Sequence, residues 1–353
     1  MRTALDKVLE RCRLSLRLKY KGPLRTVAEA LLADEVHFIQ KYDRKRSLIQ
    51  VVEVGDQLRR QTASFHLIGS GGSSLILYLL GFSEVDPIHY RTCYQRLWFT
   101  ASGGAPRFQF VATPEKKSGI ECHQNFEGVT VHPMTALETI PARLENRLSL
   151  PDTGSLDALT MAALRAGHTD GIFQLESDEV RWLLSQVCPS RIEDLAIVTA
   201  LEQIGHTCPD LMTQFLESYQ VLRTRKQITE HRTQIPLEWS THFLFQETII
   251  GTLMRDAGLT WEEAYRFILA TAKSRMNEKH ELWGPIRDGL ERRYGAESER
   301  LIRKLLNDSP EAVCWAHHVA NAITSYKAAY FRVHHRSEFE QVREQLMFVK
   351  EGT

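Results

Sequence analysis

The sequence predicts an α+β fold that is predominantly helical, and three observations carry that expectation. Apolar residues recur every three or four positions over 4–19 and 25–41, the period of an amphipathic helix. A glycine- and serine-rich turn, Gly69-Ser70-Gly71-Gly72-Ser73-Ser74, leads into the apolar run 75–80. From Pro151 onward the composition shifts to helical stretches separated by short caps. At 353 residues the chain is long enough for two domains, because single cores rarely grow past about 250–300 residues. The shift divides it into 1–150 and 151–340, with a tail at 341–353.

Lys plus Arg and Asp plus Glu balance at 44 each. A protein living mainly on nucleic acid shows a basic excess, so this balance ranks a protein partner at least level with DNA. The charge is uneven, however. Residues 1–25 carry eight Lys or Arg against Asp6 and Glu10, and Arg11, Arg13, Arg17, Lys19 and Lys21 are the candidate nucleic-acid contacts. The same stretch reads also as a surface helix docked through Leu5, Val8, Leu9, Cys12 and Leu16. Six cysteines, at 12, 93, 122, 188, 208 and 314, show no CxxC pairing and read as reduced thiols of a cytoplasmic protein. Cys122-His123 is the nearest thing to a ligand pair; no second pair stands at a zinc-like spacing, so neither a structural metal nor a cofactor is expected. No apolar stretch approaches the roughly 20 residues that span a bilayer.

Along the chain, Ser47–Val54 has the β-branched, apolar character of a buried helix or strand. Residues 73–80 read as an apolar helix ended by Gly81. Glu84 and Asp86 resemble a carboxylate pair, but Asp86 precedes Pro87, which favours a turn. Ser155 precedes a helix over 156–164 with Gly167 as its stop, and Ser177 is a cap for 178–187, whose first-turn acids suit the helix dipole. Thr260-Trp-Glu-Glu263 is a capping box. Ser309-Pro310 reads as the cap and first-turn proline of the last element, with Val319, Ile323, Tyr326, Tyr330 and Val333 forming one apolar stripe.

Several of these stretches carry a family likeness. The Gly-Ser turn, Leu80-Gly-Phe-Ser-Glu-Val-Asp-Pro87 and Tyr94-Gln-Arg-Leu97 resemble the palm of the bacterial replicative DNA polymerase III α subunit, where the last of these leads a strand. Gly171–Asp178 with Arg191–Val198, Phe243–Ile250 and Glu338-Phe339 are similar to its fingers. The likeness covers about 30–340 and implies a reduced polymerase-β-like nucleotidyltransferase palm followed by helical fingers, with Ser47–Val54 helical. It leaves uncovered the family's N-terminal metallo-hydrolase domain, its thumb and its C-terminal clamp- and DNA-binding region.

In that family a palm strand carries Pro-Asp-x-Asp-x-Asp, whose first two aspartates hold two magnesium ions. Two metals clamp the attacking and leaving oxygens of nucleotidyl transfer, and carboxylates supply the charge that gathers them. The matching stretch is Ala105-Pro106-Arg107-Phe108-Gln109-Phe110. Arg107 and Gln109 stand at the two aspartate positions, and His132 matches a third carboxylate. A guanidinium repels Mg²⁺ and stays charged at any ordinary pH. Glu115, Glu121 and Glu127 lack the alternate spacing that would rebuild the pair on one strand face.

The phosphate-binding positions implied by the resemblance are Gly69, Ser70, Ser73, Lys273, Arg275 and His317. At other family positions the charge is replaced: Ala200–Gly205 keeps a glycine without its arginine, Leu269-Ala270 replaces an arginine pair, and Trp315 replaces a lysine. The resemblance therefore implies a catalytically inactive polymerase-like protein that acts as an accessory or regulatory binder of a protein partner or DNA. A divergent nucleotidyltransferase with rearranged acids and a nucleic-acid module without chemistry are the other two readings.

Overall fold

The computed structural model describes residues 3–62, 64–100, 104–113, 125–126, 128–148, 150, 156–224, 242–277 and 280–348. They fall into two compact units. The first comprises Met1–Ser177, Ser190–Glu193 and Ala316–Thr353; the second comprises Asp178–Pro189 and Asp194–Trp315.

Three helices open the first unit: α1 (Ala4–Lys19), α2 (Pro23–Lys41) and α3 (Lys45–Gln61). Thr3 and Asp6 form a capping box at the start of α1, satisfying backbone donors that the first turn leaves orphaned. Ser47–Val54 is helical, with Leu48, Val51, Val52, Val54 and Leu58 buried along one side of α3. After β1 (Phe65–Ile68) the Gly-Ser turn closes as a 3-10 turn over Gly69–Ser73, and α4 covers Leu75–Leu79. The helix expected over 73–80 is α4, which starts two residues later because the Ser74 hydroxyl caps it by accepting from Leu77 N. Asp86 does make a turn, accepting from the Ile88 amide at 2.9 Å and from the Tyr20 hydroxyl at 2.6 Å. Tyr94–Leu97, expected to lead a strand, is instead part of a single helical turn, α5 (Gln95–Trp98), which buries Leu97 and Trp98.

The remaining strands are β2 (Phe108–Ala112), β3 (Asn125–Phe126) and β4 (Val129–Pro133), in the order β1-β2-β4-β3. β1 runs antiparallel to β2, β2 parallel to β4, and β4 antiparallel to β3. Register aligns Leu67 with Phe110 and Val131 across three strands. These residues are buried, and with Phe108 and Val129 they join the core formed by α1, α2, α3 and α4. The opposite face carries Ile68, Gln109 and Thr130 in one row and His66, Val111 and His132 in the next, because side chains alternate along a strand.

Next come α6 (Ala136–Glu145), boxed by Thr135 and Glu138, and α7 (Ala158–Arg165), capped by Asp157. α15 (Trp315–His334, counted with the first unit from Ala316) and α16 (Arg336–Phe348) complete this unit. Ser309-Pro310 does not open α15. The Ser309 hydroxyl donates to Leu305 O at the end of the preceding helix, and Glu247 instead accepts from the Trp315 amide at 3.0 Å, both residues within the second unit. The expected stripe widens into a helix enclosed on every side from Trp315 to Ala329 apart from His317, burying polar His318, Asn321, Thr324, Ser325 and Lys327.

The second unit is helical: α8 (Asp178–Val187), α9 (Ile192–Thr207), α10 (Pro209–Thr224), α11 (Gln246–Thr252), α12 (Trp261–Thr271), α13 (Trp283–Tyr294) and α14 (Ser298–Asp308). The Thr260 capping box at α12 is formed as its sequence predicts. α11 runs into a π-helical turn, Leu253–Ala257. Against it α13 brings Gly289, where a Cβ would lie 2.3 Å from Ala257 O. The core here gathers Phe243, Ile249, Leu253, Phe267, Ile286, Leu290 and Leu305.

Candidate functional site

The Gly-Ser turn follows directly from the edge strand β1. Gly69 takes φ +67°, a backbone region that glycine reaches without steric cost. Its amide donates to His317 Nδ1 at 3.3 Å, and a Cβ on it would lie 3.7 Å from Gln109 Oε1. Gly69 and Ser70 are half-buried, so this corner of the turn stays open beside Gln109. His317 is held below the usual histidine range by burial and by Arg96. It is therefore neutral at pH 7 and accepts at Nδ1.

Ser73, expected to meet phosphate, turns inward instead. It is fully buried, its hydroxyl has no hydrogen bond, and its carbonyl accepts from Thr92 at 3.3 Å. The cause lies behind the turn, where Glu35 is sequestered in α2. Glu35 accepts from the Ser74 hydroxyl at 2.6 Å, the Ile76 amide at 3.1 Å and the Trp98 indole at 2.7 Å. Burial pushes its carboxyl up to about 7, and those donors offset only part of the effect. This network tightens the turn into a 3-10 coil rather than an open phosphate cradle.

Arg107, one residue before β2, and Gln109, on the face of β2 away from the core, are two residues apart and both exposed. His132 lies on the same face, in the row beyond Gln109. The register thus brings together the three positions at which the resemblance implies carboxylates. A guanidinium, an amide and an imidazole do not fit a pair of magnesium ions, which need anionic oxygen donors. Among the described residues no three His, Cys, Asp or Glu side chains gather as metal ligands. Glu115, Glu121, Glu127 and the Cys122-His123 pair lie outside the described residues.

The basic candidates divide. Arg11 forms a bidentate pair with Asp56, at 2.6 and 2.7 Å, and the exposed Lys19 sits 4.3 Å over the Tyr78 ring. Arg13, Arg17 and Lys21 are exposed. Lys273 and Arg275 flank Ser274 in the turn after α12, within the second unit, and are exposed.

One charged cluster escaped the sequence reading. Lys327, 7% exposed, donates to Glu84 and to both oxygens of Glu145, the latter at 2.9 Å. Burial alone would favour neutral lysine, but the two carboxylates hold its ammonium above the ordinary lysine value. Burial lowers His66, on the adjacent sheet face. A lone charged residue in the stretch 319–331 was the available signal, since a buried charge demands partners.

The chain matches the profile of the bacterial DNA polymerase III alpha subunit finger domain over residues 134–293. It is 31% identical over 184 residues to the DNA polymerase III subunit alpha of Thermotoga maritima, covering 52% of this chain and 21% of that protein. Identity to the subunit of Halalkalibacterium halodurans is 29% over 219 residues, 58% of this chain and 19% of that one. The error-prone DNA polymerase of Symbiobacterium thermophilum is 28% identical over 189 residues, with shares of 52% and 17%. The aligned part thus spans about a fifth of the length of these relatives.

Proposed function

Because the chain is a divergent relative of the bacterial DNA polymerase III α subunit, we propose that it is a binding protein that has lost two-metal nucleotidyl transfer. It serves as an accessory or regulatory factor for a protein partner, DNA or both, in cytoplasmic DNA replication, repair or defence against mobile elements. In this reading residues 1–150 are a reduced nucleotidyltransferase palm and 151–340 a fingers-like domain.

The observation that carries the reading is that Arg107 and Gln109, two residues apart at the start of β2, are both exposed. A fixed cation there repels the divalent ions that the relatives' chemistry implies, and the amide beside it supplies no compensating charge. The test is primer extension by the full chain with Mg²⁺ or Mn²⁺. No incorporation above a metal-free blank is expected; template-dependent incorporation ends the proposal.

The second reading, a divergent nucleotidyltransferase that still binds nucleotide, draws on the open Gly69–Ser70 corner and on exposed Lys273 and Arg275. It expects a divalent-dependent rise in Tm with nucleoside triphosphate. DNA binding by the remaining cations would weaken steeply with salt, as counterions are released.

A further inference from the structure

The first unit carries a groove between its first two helices. α1 and α2 are joined by only three residues, Tyr20–Gly22, so they run as antiparallel neighbours. Between them lies a recess of about 360 Å³. Its floor is apolar, built from Leu9 and Leu16 of α1 and Leu32 and Val36 of α2, and Arg13 and Arg17 stand over it one helical turn apart. Neither arginine forms an ion pair among the described residues. The acid that also lines the recess, Glu29, is held by Arg25 at 2.9 Å. Like charges one turn apart repel, and nothing described in the chain answers this pair.

We propose that the groove docks an amphipathic helix of a protein partner, with its apolar side chains on the leucine floor and its Asp or Glu residues paired with Arg13 and Arg17. A nucleic-acid backbone would use the guanidiniums but leave the recess beneath them unfilled. A bilayer surface is too broad to enter a recess between two helices. The combination of buried leucines and unanswered cations fits the helix-in-groove mode, in which anchors repeat at three and four residues. The proposal rests on the binding role above but not on the loss of metal chemistry.

The probe is a fluorescein-labelled synthetic helix of roughly 15 residues, about four turns, with leucine at every third and fourth position and flanking glutamates. Its lysine-flanked counterpart is the control, and the readout is anisotropy with the full-length protein. The glutamate peptide saturates the wild-type protein. Arg13→Glu with Arg17→Glu weakens it by about tenfold or more at unchanged circular dichroism, and that double variant gains affinity for the lysine peptide. Val36→Asp, in the floor, weakens both. Absence of saturable binding, or binding indifferent to the double variant, overturns the proposal. Loss of single-stranded DNA binding or of phosphatidylglycerol-vesicle binding in the double variant, without peptide binding, overturns it as well and reassigns the cations. Failed peptide binding with a blank primer-extension assay would discard the groove alone; peptide binding with incorporation would discard the non-catalytic reading alone.

Discussion

Replacing Lys327 by methionine removes the ammonium while keeping most of the side chain's length, and strands Glu84 and Glu145. Removing one partner of a fully buried ion pair costs about 3–5 kcal/mol. Here the carboxylate side chains retain 37% and 40% exposure, so water shares the burden and the expected cost falls to about 2–3 kcal/mol. That is roughly a 30- to 150-fold change in the unfolding equilibrium at about 1.36 kcal/mol per decade. The assay is urea unfolding at pH 7.5 with hydrogen-exchange mass spectrometry on peptides from α6 and α15. Lowering the pH to 5 shrinks the deficit: without the ammonium, the clustered carboxylates bind protons more readily folded than unfolded, and such groups gain stability as pH falls. Adding Glu84→Gln and Glu145→Gln returns the variant to within about 1 kcal/mol of wild type, because contacting groups do not add independently. A Lys327→Met protein as stable as wild type, or a deficit that ignores pH, refutes this account of the cluster.

Other outcomes follow from the same physical reasoning. Glu35 ionises at about 7 in the folded chain against its ordinary 4.5, so it erodes stability as pH rises through that window by a total of about 3 kcal/mol. Glu35→Gln flattens this part of the pH–stability curve; an unchanged slope means Glu35 is not the titrating group. His317 and the buried His318, both held below the usual histidine value by desolvation, act in the opposite sense and cost stability as pH falls below 6.5. Gly289→Ala places a methyl against the backbone of Ala257; overpacking of this kind costs about 1–3 kcal/mol, measurable as a lower urea midpoint, and a neutral result would mean α13 shifts freely. Arg107→Asp with Gln109→Asp gains a Tm rise of roughly a few degrees with about 1 mM Mn²⁺ that the wild type lacks. No such gain would argue against equating these positions with the relatives' metal-bearing strand.

Much of the helical architecture was legible from periodicity and caps. The Thr260 box and the stripe of α1 lie where spacing and capping chemistry put them, because both signals are local. The Ser309-Pro310 start failed for a tertiary reason: a competing acceptor, Leu305 O, took the hydroxyl, and a remote glutamate supplied the cap. The site shows the same division. Arg107 and Gln109 could be placed on one face from strand alternation alone, whereas His132 joins them only through the parallel β2–β4 register. Glu35 carried no sequence signal, being one acid in a helical pattern, and its importance comes from three donors spread over residues 74–98. Arg11 could not be separated from Arg13 by composition, since Asp56 lies 45 positions away.

The first unit takes its helix α15 from a segment that follows the whole of 178–315. Glu84 and Glu145 must therefore wait for their lysine until the ribosome has added that stretch, a delay on the order of ten seconds at about 5–20 residues per second. Throughout that interval the nascent first unit carries an unneutralised acidic pair, Glu84 after α4 and Glu145 at the end of α6, and lacks α15, so the growing chain has an early window of vulnerability to proteases and chaperone capture. Closure of this unit is a late event in biosynthesis, although most of its residues are made first.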